Sequence, residues 1–455
     1  MPASPTPTPL PGASLSRTLN LRDLILIVVG TVIGSGIFIV PATVLAQTGG
    51  DIGPALLVWL IAGVLSLLGA LTYGEMGAAN PNAGGLYTYI RDAFGPMPSF
   101  LFGWTMFFVI SSGSLATLAV AFTGYLGEFT TLSRAASRVI AVLMIVVVTA
   151  INVLGTRKSA GVQGLTTAIK SLAIVLISIV LVSRGTGFSS GNPQWWPERF
   201  EPSLLSGVGL AMIGVLWAYE GWQYVTFSAR ETRDPRRTFP LGITIGTGLL
   251  IGIYLLANVG YIAALGPEAA SQSQRIAAQS VTVIMGTAAG KVIAGIILVS
   301  MFSAANGLVL TAPRLYYSMA RDGLFFSKLA EVHPRFGTPA FSIVAGSVWA
   351  VLLAVSGTFE QLLTYVVFAG WIFYGLGALA IFSYRRKAPT AERPFSVPGY
   401  PVTPILFVAS AAAIVGNTLL TQPRRALIGI GAVVIGIPAY YFWRAKARRT
   451  GVVAE

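Results

Sequence analysis

Long uncharged stretches dominate the hydrophobic pattern of this chain. The first contains no charged residue from Leu24 to Gly50, which is more than the roughly 20 apolar residues with which a helix crosses a bilayer. Similar stretches recur, separated by short polar or basic segments. They predict an all-α membrane protein with twelve transmembrane helices, at residues 22–47, 54–79, 98–126, 136–154, 162–183, 204–229, 241–265, 279–319, 340–356, 361–384, 401–421 and 425–443. The eighth is too long for one crossing, and we expect part of it to lie along an interface.

Two of these spans are interrupted by residues that break helices. The first has Gly34 and Gly36 on either side of a serine, and the sixth has the sequence Tyr-Glu-Gly at 219–221. Backbone N–H and C=O groups cannot stay unpaired in lipid, so such a break persists only where protein or a water-lined cavity satisfies them. A break therefore indicates a ligand site. The alternative at the first span is helix packing, because Gly30 and Gly34 form a Gly-xxx-Gly pair.

The order of the spans favours a ligand site over packing. One block of five helices (22–183) opens with a broken helix, a second block of five (204–384) opens with the other, and two extra helices follow (401–443). Because five is odd, the two blocks cross the membrane in opposite orientations. An inverted repeat with interrupted helices in corresponding positions is typical of secondary transporters, whose binding site lies at the repeat interface.

The composition excludes several other classes of protein. With 54% hydrophobic and 10% charged residues and a mean hydropathy of +0.74, the chain of 455 residues is not an ordinary soluble domain. It has no cysteine, which excludes disulfides, thiol nucleophiles and thiolate metal sites. The single histidine, His333, falls in a predicted loop. We expect no metal, no cofactor and no enzymatic activity, since an intramembrane enzyme needs a nucleophile and a base at membrane depth.

The net charge of +14 raises the question of a nucleic acid partner. With the N-terminus placed in the cytoplasm, the predicted spans put 21 of the 30 lysines and arginines on the cytoplasmic side and 8 on the other. The positive-inside bias thus accounts for the charge, and no nucleic acid is needed. We expect a disordered cytoplasmic tail at 1–16, a single transmembrane transporter domain at 17–449 and a cytoplasmic tail at 450–455.

The first break predicts an anion site beside a cation site. If the helix unwinds there, Ser35, Gly36 and Ile37 begin a second half-helix, whose unpaired N–H groups and partial positive charge bind a carboxylate. The end of the preceding half-helix offers free carbonyls, which suit an ammonium group. The sixth helix would repeat this arrangement at 217–220. An α-amino acid carries both groups, so we expect it as the substrate, with its side chain left open.

Two charged residues fall within predicted spans. Lys170 lies about two turns into an otherwise uncharged helix, where a lysine is costly, faces the bundle interior and indicates function. The alternative is that it snorkels to the cytoplasmic surface. Glu220 is the only charge in the sixth span; it could pair with Lys170 or another buried donor, contact a cationic substrate or exchange protons. We favour a structural partner, because an unpaired buried carboxylate would become neutral. Glu75, near the cytoplasmic end of the second span, is expected to be solvated.

Several motifs resemble one transporter family. The sequence Thr-Val-Ile-Gly-Ser-Gly-Ile-Phe-Ile-Val-Pro at 31–41 is similar to the first-helix motif of the amino acid–polyamine–organocation (APC) superfamily, particularly its L-amino acid transporter (LAT) branch. Ala-Tyr-Glu-Gly-Trp at 218–222 resembles the sixth-helix motif of that branch. The segments 231–240, 84–89 and 306–323 are similar as well, and the resemblance covers about 20–440. It implies a LeuT-like five-plus-five inverted repeat that works by alternating access.

The resemblance also implies roles for the residues at the two breaks. Ser35, Gly36 and Ile37 would contact the substrate carboxylate, and Gly34 would let the backbone approach it. The amine would bind to carbonyls of Ile33, Trp217, Ala218 and Glu220. Trp217 matches the aromatic gate over the occupied site, and packing is its alternative role. Lys170 matches a lysine that stands where sodium-coupled relatives of the fold bind a cation. Further candidates for the gate or cavity, each more often a packing residue, are Tyr87, Tyr89, Trp371 and Tyr374.

Together these features predict a sodium-independent transporter of L-amino acids in the inner membrane, with both termini cytoplasmic. We expect it to exchange neutral amino acids. A proton-coupled amino acid importer is the first alternative, and a cationic amino acid or polyamine antiporter is the second. Eukaryotic members of the LAT branch are linked to a partner subunit by a disulfide, so the absence of cysteine predicts that this chain has no such partner.

Overall fold

The computed structural model describes residues 19–81, 84–127, 129–189, 194–199, 201–357 and 359–449, and the tails predicted at 1–16 and 450–455 lie outside these ranges. All regular secondary structure in them is helical, apart from one isolated parallel bridge between Leu19 and Thr232. The α-helices are α1 (Leu21–Val32), α2 (Gly36–Gln47), α3 (Ile52–Ala79), α4 (Leu86–Phe94), α5 (Pro96–Thr105), α6 (Ser111–Leu126), α7 (Arg134–Val153), α8 (Thr156–Arg184), α9 (Pro202–Ala218), α10 (Pro235–Leu265), α11 (Pro267–Ser271), α12 (Ile276–Met285), α13 (Thr287–Thr311), α14 (Pro313–Arg321), α15 (Ala340–Ser356), α16 (Phe359–Lys387), α17 (Val402–Thr421) and α18 (Pro423–Arg449). A π-helical turn covers Met106–Ile110, and 3-10 helices cover Trp222–Glu231 (the 222–231 helix) and Ser327–Ala330.

The lengths and composition of these helices confirm an all-helical protein with many membrane-spanning segments. In the described part of the chain, ten helical segments are long and apolar enough to cross a membrane, and the bent pair α1 and α2 makes an eleventh. Helix α15 is apolar but shorter, with 17 residues. The long span predicted at 279–319 is divided: Gly286, with a φ of 88°, separates α12 from α13, and Pro313 begins α14.

The first predicted break is present and lies between α1 and α2. Helix α1 starts with a capping box, in which Asn20 and Asp23 satisfy each other's backbone N–H groups. It ends at Val32, because Ile33 takes an extended conformation (φ −71°, ψ 91°) that helical hydrogen bonding cannot continue. The axes of α1 and α2 differ by 48°. The chain is therefore non-helical at 33–35, and Gly36 is the first residue of the second half.

The second predicted break follows α9. Residues 219–221 form a turn, and the chain continues as the 222–231 helix. Gly221 has a φ of 128°, and a Cβ added there would lie 2.9 Å from the carbonyl oxygen of Thr31. Only glycine fits this position, because it tolerates both the positive φ and the close approach of another backbone. The second break therefore lies against the last turn of α1.

The two broken spans pack against each other and against intact helices. Helix α2 packs on α9, and α1 packs on the 222–231 helix. Helix α1 is also in contact with α8, α10 and α13, which surround it on its other sides. The non-helical residues of both breaks are buried as a result. This packing decides which side chains can reach the free backbone groups.

Two ion pairs, one of them buried, link the 222–231 helix and α4 to the segment around α14. The carboxylate of Glu231, the last residue of the 222–231 helix, accepts a hydrogen bond of 3.1 Å from Arg314 of α14. Only 5% and 3% of these side chains are exposed. Asp322, which lies eight positions after Arg314 in the sequence, pairs with Arg91 of α4 at 2.6 Å. Tyr87 donates to the same carboxylate, and burial, together with Asp322, raises the pKa of Tyr87 well above its usual value.

Glu75 is buried, so the expectation that it is solvated was wrong. Arg385 of α16 donates to both of its carboxylate oxygens, at 2.8 and 2.6 Å, and the backbone N–H of Val397 donates at 2.7 Å. The segment that follows α16 folds back over the end of α3 and encloses the carboxylate. The position of Glu75 close to a helix end did not indicate that its carboxylate would be buried. The residues that enclose it lie more than 300 positions further along the chain.

We predict that Glu231→Gln lowers the free energy of unfolding by about 3–5 kcal/mol, because it removes the carboxylate from a buried ion pair with Arg314. The matched control is Glu392→Gln in the pair with Arg236, whose side chains are 79% and 64% exposed; it should change stability by less than about 1 kcal/mol. Unfolding of both variants in detergent checks this. Equal stability losses would contradict a role for burial.

Candidate functional site

The two helix breaks touch each other at Gly36 and Ala218. A Cβ added to Gly36 would lie 2.5 Å from the Cα of Ala218, so the two backbones are in direct contact. Thr31 of α1 also places its hydroxyl 3.2 Å from the carbonyl oxygen of Gly221, as well as within reach of its own helix. The predicted site residues on the first and sixth spans are therefore neighbours, although about 180 residues separate them in sequence.

Lys170 is fully buried, as expected for a lysine within an apolar helix, and it bonds to the first break. Its ammonium group donates to the carbonyl oxygens of Gly30 (2.8 Å) and Ile33 in the first span, and to that of Ser300 in α13 (3.4 Å). These three acceptors satisfy the three N–H donors of the ammonium. Lys170 thus ties α8 to α1 and α13, and its side chain does not reach the surface of the bundle.

The carbonyls at the breaks already have protein donors. Ile33 accepts from Lys170 and also from the Ser300 hydroxyl at 3.1 Å, which uses both lone pairs of its oxygen. Tyr254 of α10 places its hydroxyl 3.1 Å from the carbonyl oxygen of Val32 and 2.9 Å from that of Ala218. An ammonium group can therefore bind Ile33, a predicted acceptor, only by displacing one of its donors.

The N–H groups on the other side of the first break are free. Within the described residues, the backbone N–H groups of Ser35, Gly36 and Ile37 donate to no other group. They are the first N–H groups of α2, which an α-helix leaves without an internal acceptor. The hydroxyl of Ser35 is also buried without a hydrogen-bond partner. Four donors in one place, at the positive end of a helix, provide a binding site for a carboxylate.

A small cavity lies at the breaks. Its volume is about 20 Å³, which is enough for roughly one water molecule and too small for an amino acid. The walls must move before a larger molecule can enter. Of the predicted site residues, the cavity is lined by Gly34, Ser35, Gly36, Trp217 and Glu220, whereas Ile33, Ile37 and Ala218 are not in its wall.

The carboxylate of Glu220 is held by two neutral side chains. Gln223 and Tyr374 each donate to its Oε1 at 2.5 Å, and Gln223 in turn accepts from the N–H of Gly221 at 3.2 Å. Lys170 is not among these partners, so the structure does not form the Glu220–Lys170 pair that the sequence left open. The partners of the Glu220 carboxylate in the structure are the buried donors Gln223 and Tyr374.

Sequence reasoning missed three residues at the breaks. Tyr254, Ser300 and Gln223 bond directly to break residues. Tyr254 and Ser300 lie in apolar helices with no motif around them, whereas Gln223 directly follows the motif at 218–222. None of the four aromatic candidates, Tyr87, Tyr89, Trp371 and Tyr374, lines the cavity. Tyr374 bonds to the carboxylate of Glu220. One general signal for such residues is present in the sequence, which is that a polar group inside a membrane helix usually needs a hydrogen-bond partner.

Comparison with known proteins gives a family match and relatives along nearly the whole chain. A family model described as amino acid permease matches residues 19–436. The b(0,+)-type amino acid transporter 1 of Mus musculus is 32% identical over 96% of this chain and 89% of its own length. The serine/threonine exchanger SteT of Bacillus subtilis (strain 168) is 31% identical over 94% and 97%. The cystine/glutamate transporter of Homo sapiens is 32% identical over 97% and 88%.

We predict that Lys170→Met loosens the first break. The substitution keeps the length of the side chain but removes the donor from the carbonyls of Gly30, Ile33 and Ser300, and each buried group left unpaired costs about 1–3 kcal/mol. Hydrogen exchange should become faster at the amides of 34–37, and the melting temperature should fall. Lys291→Met, at an exposed lysine, is the control. Unchanged exchange at 34–37 would show that Lys170 does not hold the break.

Proposed function

Because this chain belongs to the amino acid permease family within the APC superfamily, we propose that it is a sodium-independent secondary transporter of L-amino acids. It exchanges neutral amino acids across the inner membrane by alternating access, with both termini in the cytoplasm. Its relatives are transporters, and no enzymatic activity is proposed. It works without a disulfide-linked partner subunit, since it has no cysteine with which to form the bond.

The observation that carries the proposal is the pair of backbone breaks in contact at Gly36 and Ala218. Free N–H groups at 35–37 and the carbonyl ends of α1 and α9 lie next to this contact. The first set suits a carboxylate and the second suits an ammonium group. An α-amino acid carries both groups on one carbon atom, so the presence of both sets beside one contact supports a head-group site.

The positions of the breaks support a LeuT-like arrangement of twelve spans. Helices α1 and α2 form the first broken span, and α9 with the 222–231 helix forms the sixth. Each proposed repeat, 22–183 and 204–384, then opens with a broken helix. The shorter α15 serves as the ninth span, and α17 and α18 are the two helices outside the repeat. In this arrangement the head-group site lies at the interface of the two repeats.

Two contacts support the choice of substrate and coupling. The Lys170 ammonium occupies backbone acceptors of α1 and α13 that a sodium ion would need, so a fixed positive charge replaces the ion. The Glu220 carboxylate is held by Gln223 and Tyr374 and is therefore not free to pair with a cationic side chain. Neutral substrates are favoured over cationic amino acids and polyamines for this reason.

Proton-coupled import is the second candidate. Glu220 is a buried carboxylate in the wall of the cavity, and a group in this position could take up a proton together with the substrate. In that case transport would depend on a proton gradient. Exchange would depend on an amino acid on the opposite side of the membrane.

We predict that the purified protein in liposomes takes up labelled neutral L-amino acids when an unlabelled amino acid is present inside. Alternating access explains this requirement, because the loaded carrier returns more readily than the unloaded one in an exchanger. Uptake should not change when sodium is replaced by potassium. Uptake into liposomes without internal amino acid, driven by an inward proton gradient alone, would support the second candidate. No movement of any amino acid under either condition would refute transport.

We predict that Gly36→Ala lowers exchange roughly tenfold or more, because the new Cβ pushes against the backbone of Ala218 and overpacking of this kind costs about 1–3 kcal/mol. Gly416→Ala is the matched control, since a Cβ at that helical glycine meets no atom within 4 Å. Exchange rates of both variants in liposomes, normalised to the amount of folded protein, provide the measurement. Equal activity would show that the close contact of the breaks is not required.

A further inference from the structure

A second cavity, larger than the one at the breaks, lies between α12 and α13. Its volume is about 420 Å³, which falls within the roughly 300–1,000 Å³ of small-molecule sites. It lies along Arg275, Gln279 and Thr282 at α12 and along Thr287 and Lys291 of α13. These positions recur at intervals of three or four residues, so the cavity follows one face of each helix.

The lining of this cavity is positively charged. Arg275 and Lys291 both contribute to it, and none of the described residues that line it is acidic. Lys291 is exposed, is the only charged residue of α13 and forms no ion pair with a described residue. In the proposed topology both residues lie on the side away from the termini, which holds only 8 of the 30 lysines and arginines. Two of these few charges therefore line one cavity.

Neutral groups of the lining add hydrogen-bond donors. The side-chain oxygen of Gln279 accepts from the Ser273 hydroxyl at 2.6 Å, which leaves its amide nitrogen as a donor for a ligand. Thr287 is the first residue of α13, where a backbone N–H has no acceptor within the helix. A phosphate group offers negative charge and several acceptor oxygens, and arginine and lysine are its common partners in proteins. The lining therefore suits a phosphate.

Apolar side chains are exposed beside the cavity on both helices. Val283 and Met285 of α12 are 59% and 47% exposed, and Val292, which follows Lys291, is 62% exposed. In a membrane-spanning bundle such side chains contact acyl chains, whereas lysines and arginines near the ends of spans reach the headgroup level. A phospholipid can place its phosphate in the cavity and its acyl chains on this surface. A soluble anion would use the cavity alone.

We propose that the cavity between α12 and α13 binds the headgroup of an anionic phospholipid, whose phosphate contacts Arg275 and Lys291. The site is separate from the proposed amino acid site, since no described residue lines both cavities. The inference thus goes beyond the proposed function and does not depend on which substrate is transported.

The test measures lipid binding by the purified full-length protein after its co-purified lipid has been removed. Native mass spectrometry in detergent counts the molecules of dioleoyl phosphatidylglycerol, which is anionic, or dioleoyl phosphatidylcholine, which is zwitterionic, that the protein retains. The unmodified protein should retain one phosphatidylglycerol with about tenfold preference over phosphatidylcholine. Lys291→Gln should lower the affinity for phosphatidylglycerol about fivefold, and Lys291→Glu should lower it further, because each basic side chain near an anionic headgroup contributes about this factor.

The matched control is Arg424→Gln. Arg424 is an exposed arginine at the start of α18, on the same side in the proposed topology, and it does not line the cavity. Its replacement should leave the affinity for phosphatidylglycerol within about twofold. In lipid-free detergent all three variants should melt at the temperature of the unmodified protein, because Lys291 and Arg424 are exposed. Equal melting temperatures separate lipid binding from folding.

Other results would overturn the inference. These are equal retention of the two lipids by the unmodified protein, an unchanged affinity in Lys291→Glu, or an equal loss in Arg424→Gln, which would indicate general attraction by surface charge. Release of phosphatidylglycerol by millimolar inorganic phosphate would identify a soluble phosphate as the ligand. Binding of a hexaglutamate peptide without binding of phosphatidylglycerol would indicate an acidic protein partner. Each of these results leaves the proposed function standing, because none of them measures transport.

Discussion

The structure depends on satisfying the backbone carbonyls that two broken helices leave unpaired inside an apolar bundle. An unpaired backbone carbonyl is costly in an apolar environment, so side-chain donors stabilise the carbonyls at the breaks. Lys170 supplies Gly30 and Ile33, and Tyr254 supplies Val32 and Ala218. All of these donors come from intact helices that surround the breaks. The geometry of the breaks is therefore set by their neighbours and not by the broken segments themselves.

The two halves of the proposed site differ, because the surrounding helices supply donors to its carbonyls and no acceptors to its N–H groups. The N–H groups of 35–37 and the hydroxyl of Ser35 have no protein partner in the described structure, so the half of the proposed site that suits a carboxylate has free donors. The carbonyl half is partly occupied by Lys170 and Tyr254, so an amine must share acceptors with the protein. Trp217 and Glu220 are among the residues that line the cavity at the breaks, whose volume is about 20 Å³. Binding and movement of the walls are consequently linked.

Charged residues illustrate where sequence patterns lose their predictive value. Lys170 was identified correctly as a residue that faces the interior, because a lysine in an apolar helix has few other options. Glu75 was expected to be solvated, yet Arg385 and the chain around Val397 enclose it. The sequence left several possible partners open for Glu220, and in the structure its carboxylate accepts hydrogen bonds from Gln223 and Tyr374. In the last two cases the deciding groups come from distant parts of the chain.

The sequence by itself determined the helical class, most of the spans and the location of both breaks, because a bilayer requires about 20 apolar residues and a glycine or charge within them is conspicuous. It also singled out Lys170 and the residues at 33–37 and 217–220. Only the tertiary structure decided that Tyr254 and Ser300 are the donors at these breaks. A tyrosine or serine in an apolar helix looks the same whether it faces lipid or a neighbouring backbone. The rotation and approach of the packed helices decide between the two.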